Sequence, residues 1–246
     1  MRVVALLSLL VVACGGPRSA AASPSPAPTP SASSSIATRL VEGRTLATWR
    51  ITNERNGPIE TTNRCYTARY TALGYEVSFK NVCSAPVVSS ETLGEDLGEA
   101  PSLRISVDVT FLSPPERAST ADVLCLYGRG GGSWSMAYGF VLSPDGTTGI
   151  TRWIYPARES TSLAVTTTPV DLKLAAPATL SADCAQVGGA LRLTFRVNGI
   201  DVLTASDDVA PGRPATFGGA AVGFAGAIGF RAALTNLRVT ELRPAQ

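Results

Sequence analysis

Not one histidine occurs in the 246 residues, which removes Ser-His-Asp and Cys-His nucleophiles, imidazole acid–base chemistry and His-ligated zinc together. Carboxylates, cysteines and aromatic rings remain. Glycoside hydrolysis needs at least two carboxylates about 5 to 9.5 Å apart, and a strand supplies them by spacing acidic residues two positions apart on one face. The chain has no such run. Glu91, Glu95, Asp96 and Glu99 cluster, but Thr92, Gly94, Leu97 and Gly98 among them mark a solvated loop. Asp108 is a single carboxylate on a polar strand face, with Arg192 or Arg196 as its partner if their strands are neighbours. Asp207 and Asp208 fall short of the roughly 6 to 8 oxygens that calcium takes, and adjacent aspartates usually point apart. Gly128 to Ser133 lacks the Lys-Ser/Thr ending of a phosphate loop and precedes a strand, so it reads as a hairpin tip. No catalytic residue, metal or cofactor is assigned.

Aromatic rings are the better candidates for binding. Trp134 sits at that tip, and Trp153 and Tyr155 lie on the next hairpin strand, an arrangement suited to a ledge against the apolar faces of sugar rings. Tyr138 and Phe140 are expected in the core. With 21 Lys and Arg against 19 Asp and Glu, the net charge of +2 provides no field for a phosphate backbone, so nucleic acid is not expected as a partner.

The elements that must position these residues are strands. Leu103, Ile105, Val107, Val109 and Phe111 alternate with Arg104, Ser106, Asp108 and Thr110, as a strand with one buried face requires. Leu191, Leu193, Phe195 and Val197 repeat the pattern, and Asn198-Gly199 supplies a type I′ turn, predicting a hairpin of residues 191–197 and 200–205. A second hairpin is predicted around Ser143-Pro144-Asp145-Gly146. Residues 36–246 contain no convincing helical period and no second linker, so they read as a single all-β, antiparallel sandwich domain.

The first thirty-five residues carry an address. Val3 to Ala13 is an apolar stretch broken only by Ser8, too short for a membrane helix of about 20 residues, and reads as the core of a signal peptide spanning residues 1–13. Val11-Val12-Ala13-Cys14 resembles a bacterial lipobox, which implies a lipid-bearing Cys14 and a lipid-anchored chain on the extracytoplasmic face of the cell membrane. Residues 14–35, with Pro24, Pro26, Pro28 and Pro30 at alternate positions, form a tether. At about 3.1 Å per residue, residues 15–35 reach roughly 65 Å. In an oxidising compartment the remaining Cys65, Cys83, Cys125 and Cys184 favour two disulfides, with three connectivities open.

The order Asp122-Val-Leu-Cys125-Leu-Tyr-Gly128, Tyr138-Gly-Phe-Val-Leu-Ser-Pro-Asp145-Gly146, Cys184, Leu193-Thr-Phe-Arg-Val-Asn198-Gly199 and Gly226-Ala-Ile-Gly229-Phe, with Leu237-Arg-Val239, resembles the concanavalin A-like lectin/glucanase superfamily. The likeness is greatest to its laminin-G-like and 3-keto-disaccharide-hydrolase-like jelly rolls and covers roughly residues 100 to 243. It implies two curved antiparallel sheets with a concave face able to hold a glycan. It also implies that Cys125 and Cys184 lie on neighbouring strands, giving pairs Cys65 with Cys83, across a turn-like segment, and Cys125 with Cys184. Glucanases of the superfamily carry Glu-x-Asp-x-Glu on one strand, a pattern missing here. The expectation is therefore a noncatalytic module binding a polysaccharide or another envelope component, the alternative being a carbohydrate-active hydrolase or lyase on the same fold.

Overall fold

Strands that are apolar at every second position bury one face only, and the chain meets this constraint by stacking two antiparallel sheets core to core. The computed structural model describes residues 39–49, 58, 60–89, 102–114, 119–130, 133–154, 159–166, 168–187, 189–208 and 217–245. Every described strand pairing is antiparallel, and no helix occurs among the described residues. This is the sandwich that the alternation predicts.

One sheet is built from β1 (Leu40–Trp49), β2 (Thr61–Thr62), β3 (Tyr66–Thr71), β4 (Gly74–Phe79), β6 (Ser102–Phe111), β11 (Pro177–Val187), β12 (Ala190–Val197), β13 (Ile200–Asp207) and β15 (Arg231–Pro244). Its order is β13-β12-β11-β6-β15-β4-β3-β2, with β1 also pairing β15. The other contains β5 (Cys83–Ser89), β7 (Thr120–Gly130), β8 (Ser133–Leu142), β9 (Thr148–Ile154), β10 (Glu159–Val165) and β14 (Phe217–Gly226), ordered β10-β9-β8-β7-β14-β5. Both predicted hairpins are present: β12 and β13 meet at Asn198 and Gly199, with φ of 52° and 79°, and β8 and β9 meet around Gly146.

Leu103, Ile105, Val107 and Val109 from β6, Val123 and Cys125 from β7, Tyr138 and Phe140 from β8, and Leu193 and Phe195 from β12 are all at most 1% exposed. Phe140 and Phe195 meet across the two sheets with ring centroids 5.7 Å apart. A buried aromatic truncated to Ala typically costs about 3 to 5 kcal/mol, so this contact is a principal anchor of the sandwich.

Two disulfides are formed, Cys65 with Cys83 and Cys125 with Cys184. Cys125 and Cys184 are not on neighbouring strands, as the resemblance implied. Cys125 lies on β7 of the six-stranded sheet and Cys184 on β11 of the nine-stranded one, with Cα atoms 6.6 Å apart. Both positions fall on the inward parity of their strands, so the bond crosses the core as an inter-sheet rivet. Asn63 Oδ1 shapes the turn before the other bridge, accepting from the Cys65 and Tyr66 amides at 2.8 and 2.9 Å.

Asp108 does not meet an arginine. β11 stands between β6 and β12, which keeps Arg192 and Arg196 out of reach; Asp108 instead accepts from Thr179 Oγ1 at 2.6 Å and Asn236 Nδ2 at 2.7 Å. Arg196 pairs with Asp183 at 2.7 Å and also with Asp201.

Candidate functional site

The face of the six-stranded sheet that points away from the core is paved with small residues. On β8 it presents Ala137, Gly139 and Val141; on β9 Gly149, Thr151 and Trp153; on β14 Gly219, Ala221 and Gly223, as their ladders require. Trp153 is directly opposite Ala137, and its half-buried indole leans diagonally over Gly139. A Cβ placed on Gly139 would stand only 2.1 Å from Trp153 Cζ3 and 3.2 Å from Leu124 Cδ2. The missing side chain at 139 is therefore what lets the Cζ3–Cη2 edge of the indole pack against the strand. The result is a half-buried aromatic ring on a face whose small residues are covered, Ala137 and Ala221 being 1% and 2% exposed.

Beside it β7 presents Asp122, Leu124 and Leu126 at period two, while Val123, Cys125 and Tyr127 face the core. A strand of this kind could carry three carboxylates on one face, and this one carries a carboxylate and two leucines. Asp122 is 8% exposed, and its Oδ1 is buried with no hydrogen-bond partner. Burial raises its pKa from 3.8 to about 6, the Thr120 hydroxyl offsetting part of the effect. Among the described strands of this face, Asp122 is the only carboxylate that points outward.

Of the residues proposed from sequence as a sugar ledge, Trp153 is placed on this face. Trp134 belongs by its backbone to the β7–β8 ladder, opposite Arg129, but its side chain lies outside the described residues, as does the whole of Tyr155. Cys14, the signal peptide and the tether, and the Glu91, Glu95, Asp96 and Glu99 cluster, also lie outside them. Tyr138 and Phe140 are in the core as expected.

Asp207 has a structural role. It is 4% exposed and accepts from Tyr138 Oη at 2.9 Å and, with both oxygens, from Arg152 Nη1 at 2.9 Å. This network links β13 of one sheet to β8 and β9 of the other, with Arg152 on the inward parity beside Tyr138. Burial and the bond to Asp207 raise the Tyr138 pKa well above its ordinary value, so the phenol keeps its proton. Asp208 is exposed, and no group of metal-ligating side chains occurs among the described residues.

Sequence reasoning passed over Gly139, Asp122 and Arg152. Asp122 was visible as the one acidic residue in a run whose alternate members are core residues, a signal that marks its face but not its burial.

No family model and no curated protein matches the chain. Solved structures do. A protein of unknown function with a galectin-like fold from Bacillus subtilis superposes with a TM-score of 0.59 at 11% identity, over 84% of this chain and 100% of that one. The alginate lyase vAL-1 from Chlorella virus gives 0.56 at 8% identity, over 80% and 100%. Bacillus licheniformis β-glucanase gives 0.51 at 13%, over 81% and 99%. At these identities the likeness establishes the fold, an antiparallel sandwich of the concanavalin A-like jelly-roll type.

Proposed function

We propose that this chain is a noncatalytic glycan-binding module that works through the outer face of its six-stranded sheet and is held at the extracytoplasmic surface of a membrane by lipid on Cys14. The observation that carries the reading is the Trp153 indole lying over Gly139 on a face of small residues. The exposed part of the indole offers an apolar surface to a sugar ring and leaves the sugar hydroxyls to water. The similar folds fit a carbohydrate-related function without choosing between binding and catalysis: a protein of unknown function with a galectin-like fold, an alginate lyase and a β-glucanase.

The second reading, a hydrolase or lyase, is favoured by one observation: Asp122 holds its proton up to about pH 6 on this same face, as a general acid would. Hydrolysis asks for a second carboxylate within about 9.5 Å, and the described strands of this face offer leucines where it would stand. A glycan array probed with the full chain, followed by a reducing-end assay on each glycan retained, separates the two. Retention without new reducing ends or unsaturated products supports the module; cleavage replaces it with the enzyme. For the anchor, intact mass of the protein from its native host should show a lipid-modified Cys14 as first residue, and Cys14→Ser should release the chain from membranes. An unmodified Cys14 refutes the anchor.

A further inference from the structure

On the opposite side of the molecule, the outer face of the nine-stranded sheet holds a recess of about 380 Å³ lined by Thr67, Arg69, Glu76, Ser78 and Arg231. Two adjacent rows of the β3-β4-β15 ladder form it. In one row Thr67, Ser78 and Arg231 stand side by side; in the next Arg69 and Glu76 are followed by the buried Ala233. Glu76 forms the floor and is 5% exposed. Arg231 reaches it with both Nε, at 3.0 Å, and Nη2, at 2.7 Å, but both fall on Oε1. Glu76 Oε2 accepts no hydrogen bond among the described residues. Arg69, directly across the ladder from Glu76, is exposed and has no ion-pair partner among them either.

The charge count of this recess is therefore unbalanced by one. Arg231 neutralises Glu76, and the Arg69 guanidinium is left over beside two hydroxyls and an open carboxylate oxygen. We propose that the recess binds an acidic sugar: a carboxylate that pairs with Arg69, carrying neighbouring hydroxyls that donate to Glu76 Oε2 and exchange hydrogen bonds with Ser78 and Thr67. Each half of the ligand is selected by a different group. A guanidinium accepts a planar carboxylate bidentately. Glu76 Oε2 favours a ligand that brings a donor, which sulfate or fully ionised phosphate does not supply, and the two flanking guanidinium groups repel an ammonium, which disfavours amino acids. A uronate meets both demands, as a free sugar acid or as a residue of a polysaccharide. The recess shares no residue with the Trp153 face, so it stands or falls separately from the function proposed above.

The test is titration of the full chain at low salt with sodium D-glucuronate, trigalacturonate, D-glucose, acetate and L-alanine, read by calorimetry. Saturable binding of glucuronate at least tenfold tighter than glucose, acetate or alanine is expected. Tighter binding of trigalacturonate than of glucuronate assigns the site to a polysaccharide residue, and equal binding assigns it to the free sugar acid. Arg69→Met should weaken glucuronate at least tenfold with an unchanged melting temperature, because Arg69 is exposed and has no ion-pair partner among the described residues; Ser78→Ala should weaken it less; Trp153→Ala should leave it unaltered. Glucuronate binding no tighter than acetate, preference for alanine, or loss of binding in Trp153→Ala with retention in Arg69→Met overturns the proposal.

Discussion

Replacing Asp122 by Asn isolates the energetic consequence of burying a carboxylate on the outer sheet face. Its pKa stands at about 6 in the fold against an ordinary 3.8, with burial as the leading cause. A folded value above the unfolded one means that the folded state binds the extra proton between these two pH values. The contribution to stability is thus fully present below about pH 4, declines as the pH rises through about 6, and stays lost above that. A shift of about two units corresponds to about 3 kcal/mol across the window. Asn cannot ionise, so the stability difference between Asp122→Asn and the parent should move in favour of the variant by about 3 kcal/mol between pH 3 and pH 8. The buried amide needs its own partners, and the absolute gain at pH 8 is then about 1 to 2 kcal/mol. Urea melts of both proteins at half-unit pH steps measure this directly, since other titrating groups cancel in the difference. A difference constant to within about 0.5 kcal/mol over the whole range would refute the assignment of Asp122 as a desolvated carboxylate.

Three further outcomes follow from particular contacts. Cys125→Ala with Cys184→Ala opens a closure of 59 residues, and urea melts should show a loss of about 4 kcal/mol by the loop-entropy relation; a loss below about 1 kcal/mol contradicts the inter-sheet rivet. Asp207→Ala leaves Arg152 charged and buried without its carboxylate and should lose about 3 to 5 kcal/mol, whereas Tyr138→Phe should lose only about 1; equal losses would mean that the network does not hold its charge as described. Gly139→Ala pushes a methyl against the indole and should shift Trp153 fluorescence to the red while weakening any glycan that stacks there; an unaltered spectrum would show that the ring does not lie over residue 139.

Local alternation made much of the fold legible. The 103–111 and 191–197 runs, and the Asn198-Gly199 turn, define their strands from neighbours in sequence alone, because side-chain period and turn chemistry are local properties. Sheet membership is not local. Nothing near Cys125 or Cys184 says that their strands belong to opposite sheets, and nothing near Asp108 says that β11 intervenes before Arg196. The same holds at the candidate site. Trp153 could be read as an aromatic on a hairpin, but its seat depends on Gly139 on the paired strand, and the burial of Asp122 is invisible where an acidic residue at an outward position reads as solvated. Arg69 and Glu76 face each other in the local β3–β4 hairpin, but Arg231 joins them only because β15 returns from the far end of the chain to pair with β4.

Glycan binding by the Trp153 face is measured by the binding isotherm of the strongest array glycan for the full chain and for Trp153→Ala, with melting temperatures taken on the same samples. Saturable binding should weaken at least tenfold in the variant, about 1.4 kcal/mol, with the melting temperature nearly unchanged because the ring is half-buried on an outer face. Equal affinity in the two proteins, or no retained glycan at all, would contradict binding at this face.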